Sequence, residues 1–196
     1  IGSCEPFSGK SALVLGLARH LLSEGRTVRF GKPLATSLEW TAKGSPLPDP
    51  LIDDDVRFVG TTLGIDETRL IPSLHLLSPE TADTRLRQGN LDAGTGLEML
   101  LKDLQNDQDS FTVLEAAGSL HEGLMYGLSL VQLAQGLDAP VILVHLWQDS
   151  RSVDALLAAQ QQLGDRLAGV VLNAVTPDEV EELNQHVVPA LQALGL

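Results

Sequence analysis

The chain has 196 residues, with 13 basic against 26 acidic side chains and a formal net charge of −13. This charge repels phosphodiester backbones and anionic lipid surfaces, so it disfavours nucleic-acid and membrane-surface proteins. The single cysteine excludes an internal disulfide, and no apolar run is long enough to cross a bilayer, which favours a cytoplasmic protein.

The length fits one domain over 1–196 with a substantial core. Ile1 has the character of a strand end, and the sequence stops at Leu196 where another strand could begin. We therefore expect this domain to be a fragment of a longer chain.

The first eleven residues, IGSCEPFSGKS, predict a phosphate-binding loop that leads into a helix. Gly9 lets the backbone approach phosphate oxygens, Lys10 supplies positive charge, and Ser11 offers an oxygen to Mg²⁺. The usual pattern has another glycine five positions before Gly9, where this chain has Cys4, so the loop is a variant. The alternative is a plain surface turn, but the apolar start and the amphipathic run after the loop favour phosphate binding. As a loop residue, Lys10 is expected to be exposed.

Beyond the loop, hydropathy predicts alternating helices and strands. Helices are predicted at 10–24, 52–63, 79–88, 95–104, 128–137, 152–163 and 177–191, and strands at 27–30, 70–77, 111–115, 140–146 and 167–172. The segment 37–50 is rich in Pro, Gly, Ser and Thr, contains Trp40, and predicts a long loop with the character of a lid. The alternation predicts a three-layer α/β fold, with a mostly parallel sheet and helices on both faces.

Several polar residues stand where strands end, which is where open parallel sheets bind ligands. Lys32 follows a strand, and Glu115 ends a buried one; either is a site candidate or a simple solvated charge. The acidic triplet at 53–55 begins a helix, where the helix dipole favours it, or supplies an oxygen ligand to Mg²⁺. In the loop at 118–127, His121 and Glu122 are candidates for acid–base chemistry, or idle surface groups.

Taken in order, these motifs resemble the dethiobiotin synthetase superfamily of P-loop proteins, which includes the amidotransferase-type cobyrinate synthases. The strongest likeness is to the N-terminal domain of long phosphotransacetylases and to relatives with a downstream DRTGG domain. The resemblance spans most of the chain and rests on SCEPFSGKS at 3–11, GKP at 31–33, DDV at 54–56, EAAG at 115–118, DAPVILV at 138–144 and GVVLN at 169–173.

The resemblance implies a P-loop NTPase fold with ATP and Mg²⁺ as cofactors, and a homodimer. It implies catalytic roles for Lys10, Lys32 and Glu115, with the lysines on phosphates, and an adenine-reading role for Asn173. The implied metal ligands are Ser11, Asp55 and Glu115. The implied nucleotide contacts in the loop are Glu5, Pro6, Phe7, Ser8, Gly9, Lys10, Ser11 and Ala12.

Two departures bear on function. Dethiobiotin synthetases have a glycine-rich turn after the glutamate that helps hold a diamino acid, whereas this chain has SLHEGLMY at 119–126. Partitioning ATPases place a signature lysine where this chain has Glu5, which disfavours that class. We therefore expect a Mg·ATP-binding regulatory module of the phosphotransacetylase N-terminal type, acting on an attached or partner domain. The alternative is an ATP-dependent ligase that phosphorylates a small carboxylate or a carbamate.

Overall fold

A computed structural model describes residues 1–38, 47–91, 95–107 and 109–196. The strands are β1 Gly2–Ser3, β2 Thr27–Gly31, β3 Leu34–Ala35, β4 Leu70–Ile71, β5 His75–Leu76, β6 Ser110–Leu114, β7 Val141–Leu146 and β8 Leu167–Asn173. The α-helices are α1 Lys10–Ser23, α2 Asp54–Leu63, α3 Pro79–Gln88, α4 Thr95–Asn106, α5 Leu130–Leu137, α6 Ser152–Leu163, α7 Pro177–Glu182 and α8 Val188–Ala193. The predicted α/β class is confirmed.

The strands form parallel ladders in the orders β4-β2-β6, β1-β7-β8 and β3-β5. The first two ladders meet at Ile1, whose backbone nitrogen donates to the carbonyl of Leu114 at 2.6 Å. The carbonyl of Ile1 accepts from the amide of Ala116 at 2.9 Å. Ile1 therefore links these two parallel ladders.

Helices cover both faces of the sheet, as the fold of a P-loop NTPase requires. Helices α1 and α2 pack on one face, and α4, α5 and α6 pack on the other. Two apolar clusters follow this division: Val14, Phe30 and Val56 belong to one, and Leu143 and Leu156 to the other. The carboxyl ends of the strands, which are followed by polar residues, therefore lie between the two helical layers.

Three predicted elements differ in detail. The segment 70–77 is split into β4 and β5, because Pro72 lies between them and has no N–H for a ladder. The helix predicted at 128–137 begins at Leu130, because the Ser129 side chain caps it. The final helix contains a π-turn at Leu183–Val187, just before Pro189, which cannot donate a regular helical bond.

The predicted lid at 37–50 lies partly outside the described residues, which omit 39–46 and with them Trp40. No helix in the described part of the chain is both long and apolar enough to cross a membrane.

Candidate functional site

The glycine loop enters α1 through a left-handed backbone turn. Gly9, the residue before α1, has φ 96°, a conformation that side chains rarely adopt. A Cβ at Gly9 would also stand 2.3 Å from Nδ2 of Asn173, which donates to the carbonyl of Ser8 at 2.8 Å. Glycine therefore suits this position both in backbone conformation and in the space available. Gly9 has no side chain that could cap the first N–H groups of α1, so this helix end suits an anion.

Lys10 is 7% exposed, so the expectation of an exposed loop lysine was wrong. Its Nζ donates to Ser3 Oγ and to the carbonyl of Gly118, both at 2.9 Å. Burial lowers the pKa of Lys10, and the nearby Glu115 carboxylate opposes this effect. The loop folds back over the end of β1, so the ammonium group lies inside the loop and not in solvent.

Lys32, directly after β2, is the second buried cation. Its Nζ lies 2.9 Å from Oδ2 of Asp55 and 3.3 Å from Oδ2 of Asp53. Burial by itself lowers the pKa of Lys32, but the two aspartates and Glu115 outweigh it and raise that pKa. The lysine is therefore held charged at the carboxyl edge of the sheet.

The structure gives the three aspartates at the start of α2 different surroundings. Asp53 is fully buried, and its carboxylate accepts from the backbone amides of Thr36, Ser37 and Asp55, so it caps the helix. Asp54 accepts from the Ser37 hydroxyl at 3.1 Å. The Asp55 side chain is 41% exposed and pairs with the buried lysine. Asp53 thus has a structural role, and Asp55 has an oxygen open to a ligand.

Glu115 follows β6 and is 2% exposed. Its Oε1 accepts from the Ser11 hydroxyl at 3.2 Å. Its Oε2 is buried without a hydrogen-bond partner in the described part of the chain. Burial raises the pKa of Glu115, partly offset by the charges of Lys32 and Lys10. An oxygen left open inside the protein, beside a hydroxyl, is the donor set that Mg²⁺ prefers, so these residues fit the ion.

The Glu5 side chain contacts the end of β7. Its Oε2 lies 2.8 Å from Nδ1 of His145, and its Oε1 accepts from the amide of Leu146 at 2.7 Å. The side chain therefore ties the loop to the end of β7. Sequence reasoning missed His145, although it is the single polar residue in the apolar run 141–146. Three other predicted contact residues, Pro6, Phe7 and Ala12, are exposed on the loop and first turn of α1.

His121 and Glu122, the two candidates for acid–base chemistry in the loop after Glu115, lie in different surroundings. His121 is exposed and its Nε2 lies 2.9 Å from Oε1 of Gln162, away from the lysines. Glu122 lies beside Gly118, and its charge acts on Lys10. Of the two, only Glu122 lies at the site.

The structure thus brings Lys10, Ser11, Lys32, Asp55 and Glu115 together at one edge of the sheet, below the amino end of α1. Two cations and a helix end can neutralise a polyphosphate, and three oxygen donors can hold a hard cation. The arrangement is therefore chemically suited to a polyphosphate with a metal ion.

A family profile described as an AAA domain matches residues 1–195. The chain belongs to this family. It is also similar to the ATP-dependent dethiobiotin synthetase BioD of two Pseudomonas aeruginosa strains, with 28% identity over 172 residues in each case. The match covers 86% of this chain and 73% of each relative. Together these findings support a dethiobiotin synthetase-like P-loop family. They do not bear on the likeness to phosphotransacetylase and DRTGG-domain proteins, which stays a prediction.

Proposed function

We propose that this domain is a Mg·ATP-dependent ligase of the dethiobiotin synthetase or cobyrinate synthase type, which phosphorylates a carboxylate or a carbamate. The observation that carries the proposal is the buried Oε2 of Glu115, open beside Ser11 and between two buried lysines. The similarity to ATP-dependent dethiobiotin synthetases favours the ligase over the regulatory module expected from sequence.

In this proposal the loop binds the triphosphate. The amides near Gly9 and the amino end of α1 would hold the β phosphate, while Lys10 exchanges its contacts with Ser3 and Gly118 for phosphate oxygens. Lys32, fixed by its aspartates, would neutralise charge that develops on the transferred phosphoryl group. Both lysines are buried, so their charges act in a medium that screens them weakly.

Ser11, Asp55 and Glu115 would hold Mg²⁺. When bound, the ion would neutralise phosphate charge as a Lewis acid. Without it, Glu115 is a buried carboxylate that burial disfavours in its charged form. The residue is therefore better explained by a cationic ligand than by a contribution to stability.

A nucleotide-dependent regulatory module remains a second proposal. Its support is the segment that follows Glu115, where Leu120 and Tyr126 are buried and fill the region with apolar side chains. In this proposal the domain would bind nucleotide and steer an attached or partner domain, including a second copy.

Phosphate release from Mg·ATP tests the two proposals. We expect turnover to rise when a diamino acid with bicarbonate, or a small dicarboxylate, is added as acceptor. Glu115→Gln should remove this stimulation, and Glu98→Gln, which changes an exposed glutamate on α4, is the matched control. Binding of Mg·ATP without turnover on any acceptor would overturn the ligase and favour the module. Absence of binding would contradict both.

A further inference from the structure

A thiol, a carboxylate and an imidazole meet where the phosphate loop begins. Cys4 and Glu5 directly follow β1, and His145 lies near the end of β7. The Cys4 sulfur, a Glu5 carboxylate oxygen and a ring nitrogen of His145 lie within 4.8 Å of one another. None of the three residues belongs to the proposed Mg²⁺ ligands. The cluster is therefore a separate group of chemically different potential ligands.

Strand register brings the thiol to the imidazole. β1 and β7 are parallel neighbours, and Ser3 stands opposite Val144. Extending this register by one residue places Cys4 beside His145, because adjacent strands lie about 4.8 Å apart and paired side chains share a face. The sheet topology, and not a chance approach of long side chains, thus brings these two residues together.

Hydrogen bonds hold the three side chains in place. Nδ1 of His145 lies 2.8 Å from Oε2 of Glu5, and Oε1 of Glu5 accepts from the amide of Leu146 at 2.7 Å. The Cys4 thiol donates to the carbonyl of Ala155 in α6, at 3.6 Å. The His145 side chain is 8% exposed, whereas that of Glu5 is 29% exposed. The imidazole is therefore buried, while the carboxylate is partly open to an ion from solvent.

This combination of atoms suits a borderline-soft transition metal ion. Zn²⁺ binds Cys sulfur, His nitrogen and Glu oxygen at about 2.0–2.3 Å, so its ligand atoms lie roughly 3–4 Å apart. Small side-chain rotations would bring the atoms of the cluster from within 4.8 Å to that spacing. A thiolate and a carboxylate balance the charge of a divalent cation, and a neutral imidazole adds none. Mg²⁺ prefers oxygen ligands and suits the cluster poorly.

A reactive cysteine is the alternative use of these residues, and the surroundings disfavour it. Burial, and to a smaller extent the Glu5 carboxylate, raise the pKa of Cys4 to about 11. The thiolate is the reactive form of cysteine, so Cys4 without a metal is a weak nucleophile at neutral pH. A bound cation would instead displace the thiol proton into solvent and hold the thiolate as a ligand.

We propose that Cys4, Glu5 and His145 form a Zn²⁺ site. They would supply sulfur, oxygen and nitrogen ligands, and water would complete a tetrahedral shell. The ion would replace the hydrogen bond between Glu5 and His145 and join the start of the phosphate loop to β7. Ser3 connects this place to the loop lysine, because its hydroxyl donates to the carbonyl of Glu5 and accepts from Lys10. The site goes beyond the proposed ligase function and does not depend on it.

Titration of the full chain, without an affinity tag, with Co²⁺ as a coloured probe for Zn²⁺ tests the proposal. Cys4 is the single cysteine, so a cobalt–thiolate charge-transfer band can arise only from this residue. We expect the band to saturate at an equimolar ratio, to be displaced by Zn²⁺ and to persist in excess Mg²⁺. Zn²⁺ should also raise the midpoint of thermal unfolding, because it binds the folded chain. Absence of the band would overturn the proposal.

Three variants separate a built site from a thiol that binds metal by itself. Cys4→Ser should remove the band. Glu5→Gln and His145→Asn should each weaken Zn²⁺ binding by roughly tenfold or more, since even residues that only support metal ligands contribute about 10–100-fold. His20→Asn is the matched control, because Nε2 of His20 lies 3.4 Å from Oε1 of Glu24 in an exposed pair on α1. This control should bind Zn²⁺ as the parent does.

Unchanged Zn²⁺ affinity in folded Glu5→Gln or His145→Asn protein would overturn the proposal, as would loss of binding in His20→Asn. Because His145 is buried, circular dichroism checks the fold of its variant. X-ray absorption of the Zn²⁺-loaded parent gives a measurement without mutation, and a zinc shell that lacks sulfur would contradict the site. These readouts need no nucleotide, so failure of the ligase proposal would leave them unaffected.

Discussion

The two ends of the parallel strands have opposite chemistry. At their carboxyl ends, β2 and β6 are followed by Lys32 and Glu115, both buried, and the loop adds buried Lys10. At its amino end, β6 lies among apolar side chains, including Leu17 and Leu133. Buried charge costs free energy unless it is paired. Oε2 of Glu115 has no hydrogen-bond partner among the described residues, which favours a ligand site at the carboxyl ends. Apolar groups at the other end serve the sheet itself.

The largest expected effect at the charged end is that of Lys10→Ala. It should weaken Mg·ATP binding by roughly 100-fold or more, equivalent to at least about 2.8 kcal/mol, because it removes a buried cation from the phosphate site. Calorimetric titration measures the change. Lys102→Ala, on the exposed side of α4, is the matched control and should bind normally.

Because Lys10 is buried and bonded to Ser3 and Gly118, its variant must also be checked for folding by circular dichroism. A folded Lys10→Ala protein with unchanged affinity would show that the loop does not bind phosphate.

The next effect concerns the metal. Glu115→Gln keeps the shape of the side chain but removes its charge. The gain in ATP affinity on adding Mg²⁺ should therefore fall by about tenfold or more. Even residues that only support metal ligands contribute about 10–100-fold to metal affinity or activity. Titrations with and without Mg²⁺ give this gain directly. If the variant and the parent gain equally, Glu115 is only a charge at the end of a strand.

The third effect concerns base selection by Asn173. Its amide can donate to and accept from adenine together, so ATP should be preferred over GTP by about 1–3 kcal/mol, on the scale of bidentate base contacts. Asn173→Ala should remove most of that preference. The variant also loses the bond to the Ser8 carbonyl, so both affinities should fall by a common factor.

Competition binding separates these two contributions, since only the ratio of ATP to GTP affinity reports on the base. A ratio that is the same in parent and variant would mean that Asn173 supports the loop and that the base is read elsewhere.

The last effect concerns Glu115 again, through its contribution to the free energy of unfolding. Burial raises the pKa of Glu115 in the folded chain above 4.5, so the folded state favours the protonated form. Protonated Glu115 therefore contributes to the free energy of unfolding. This contribution is complete below the unfolded-state pKa of the carboxyl group and is lost as the pH rises through its folded-state pKa. Glu115→Gln should therefore raise the free energy of unfolding at pH 7, by about 1.4 kcal/mol for each unit of pKa elevation, and have little effect below pH 4.5.

Urea denaturation at several pH values, without nucleotide or Mg²⁺, measures this difference. A variant that is destabilised at pH 7 would contradict this expectation and show that the charged Glu115 carboxylate stabilises the fold.

The sequence by itself determined most elements and the location of the site. Helix periodicity, continuous apolar runs and the local Gly-Lys-Ser pattern act over short stretches of chain, so α1, α3, α6, β7 and the loop were predicted within a few residues. Polar residues directly after strands, such as Lys32 and Glu115, were predicted to meet because parallel strands end at one edge.

Only the tertiary structure decided how those residues are used. The bond from Asn173 to Ser8 joins residues 165 positions apart, and the pair of Glu5 with His145 joins residues 140 apart. The hydropathy pattern of the sequence does not predict contacts between residues so far apart. The burial of Lys10 and the separation of Asp53 from Asp55 likewise depend on neighbours that are distant in sequence. Local patterns fix the elements, whereas long-range packing fixes which charge is a structural cap and which is open to a ligand.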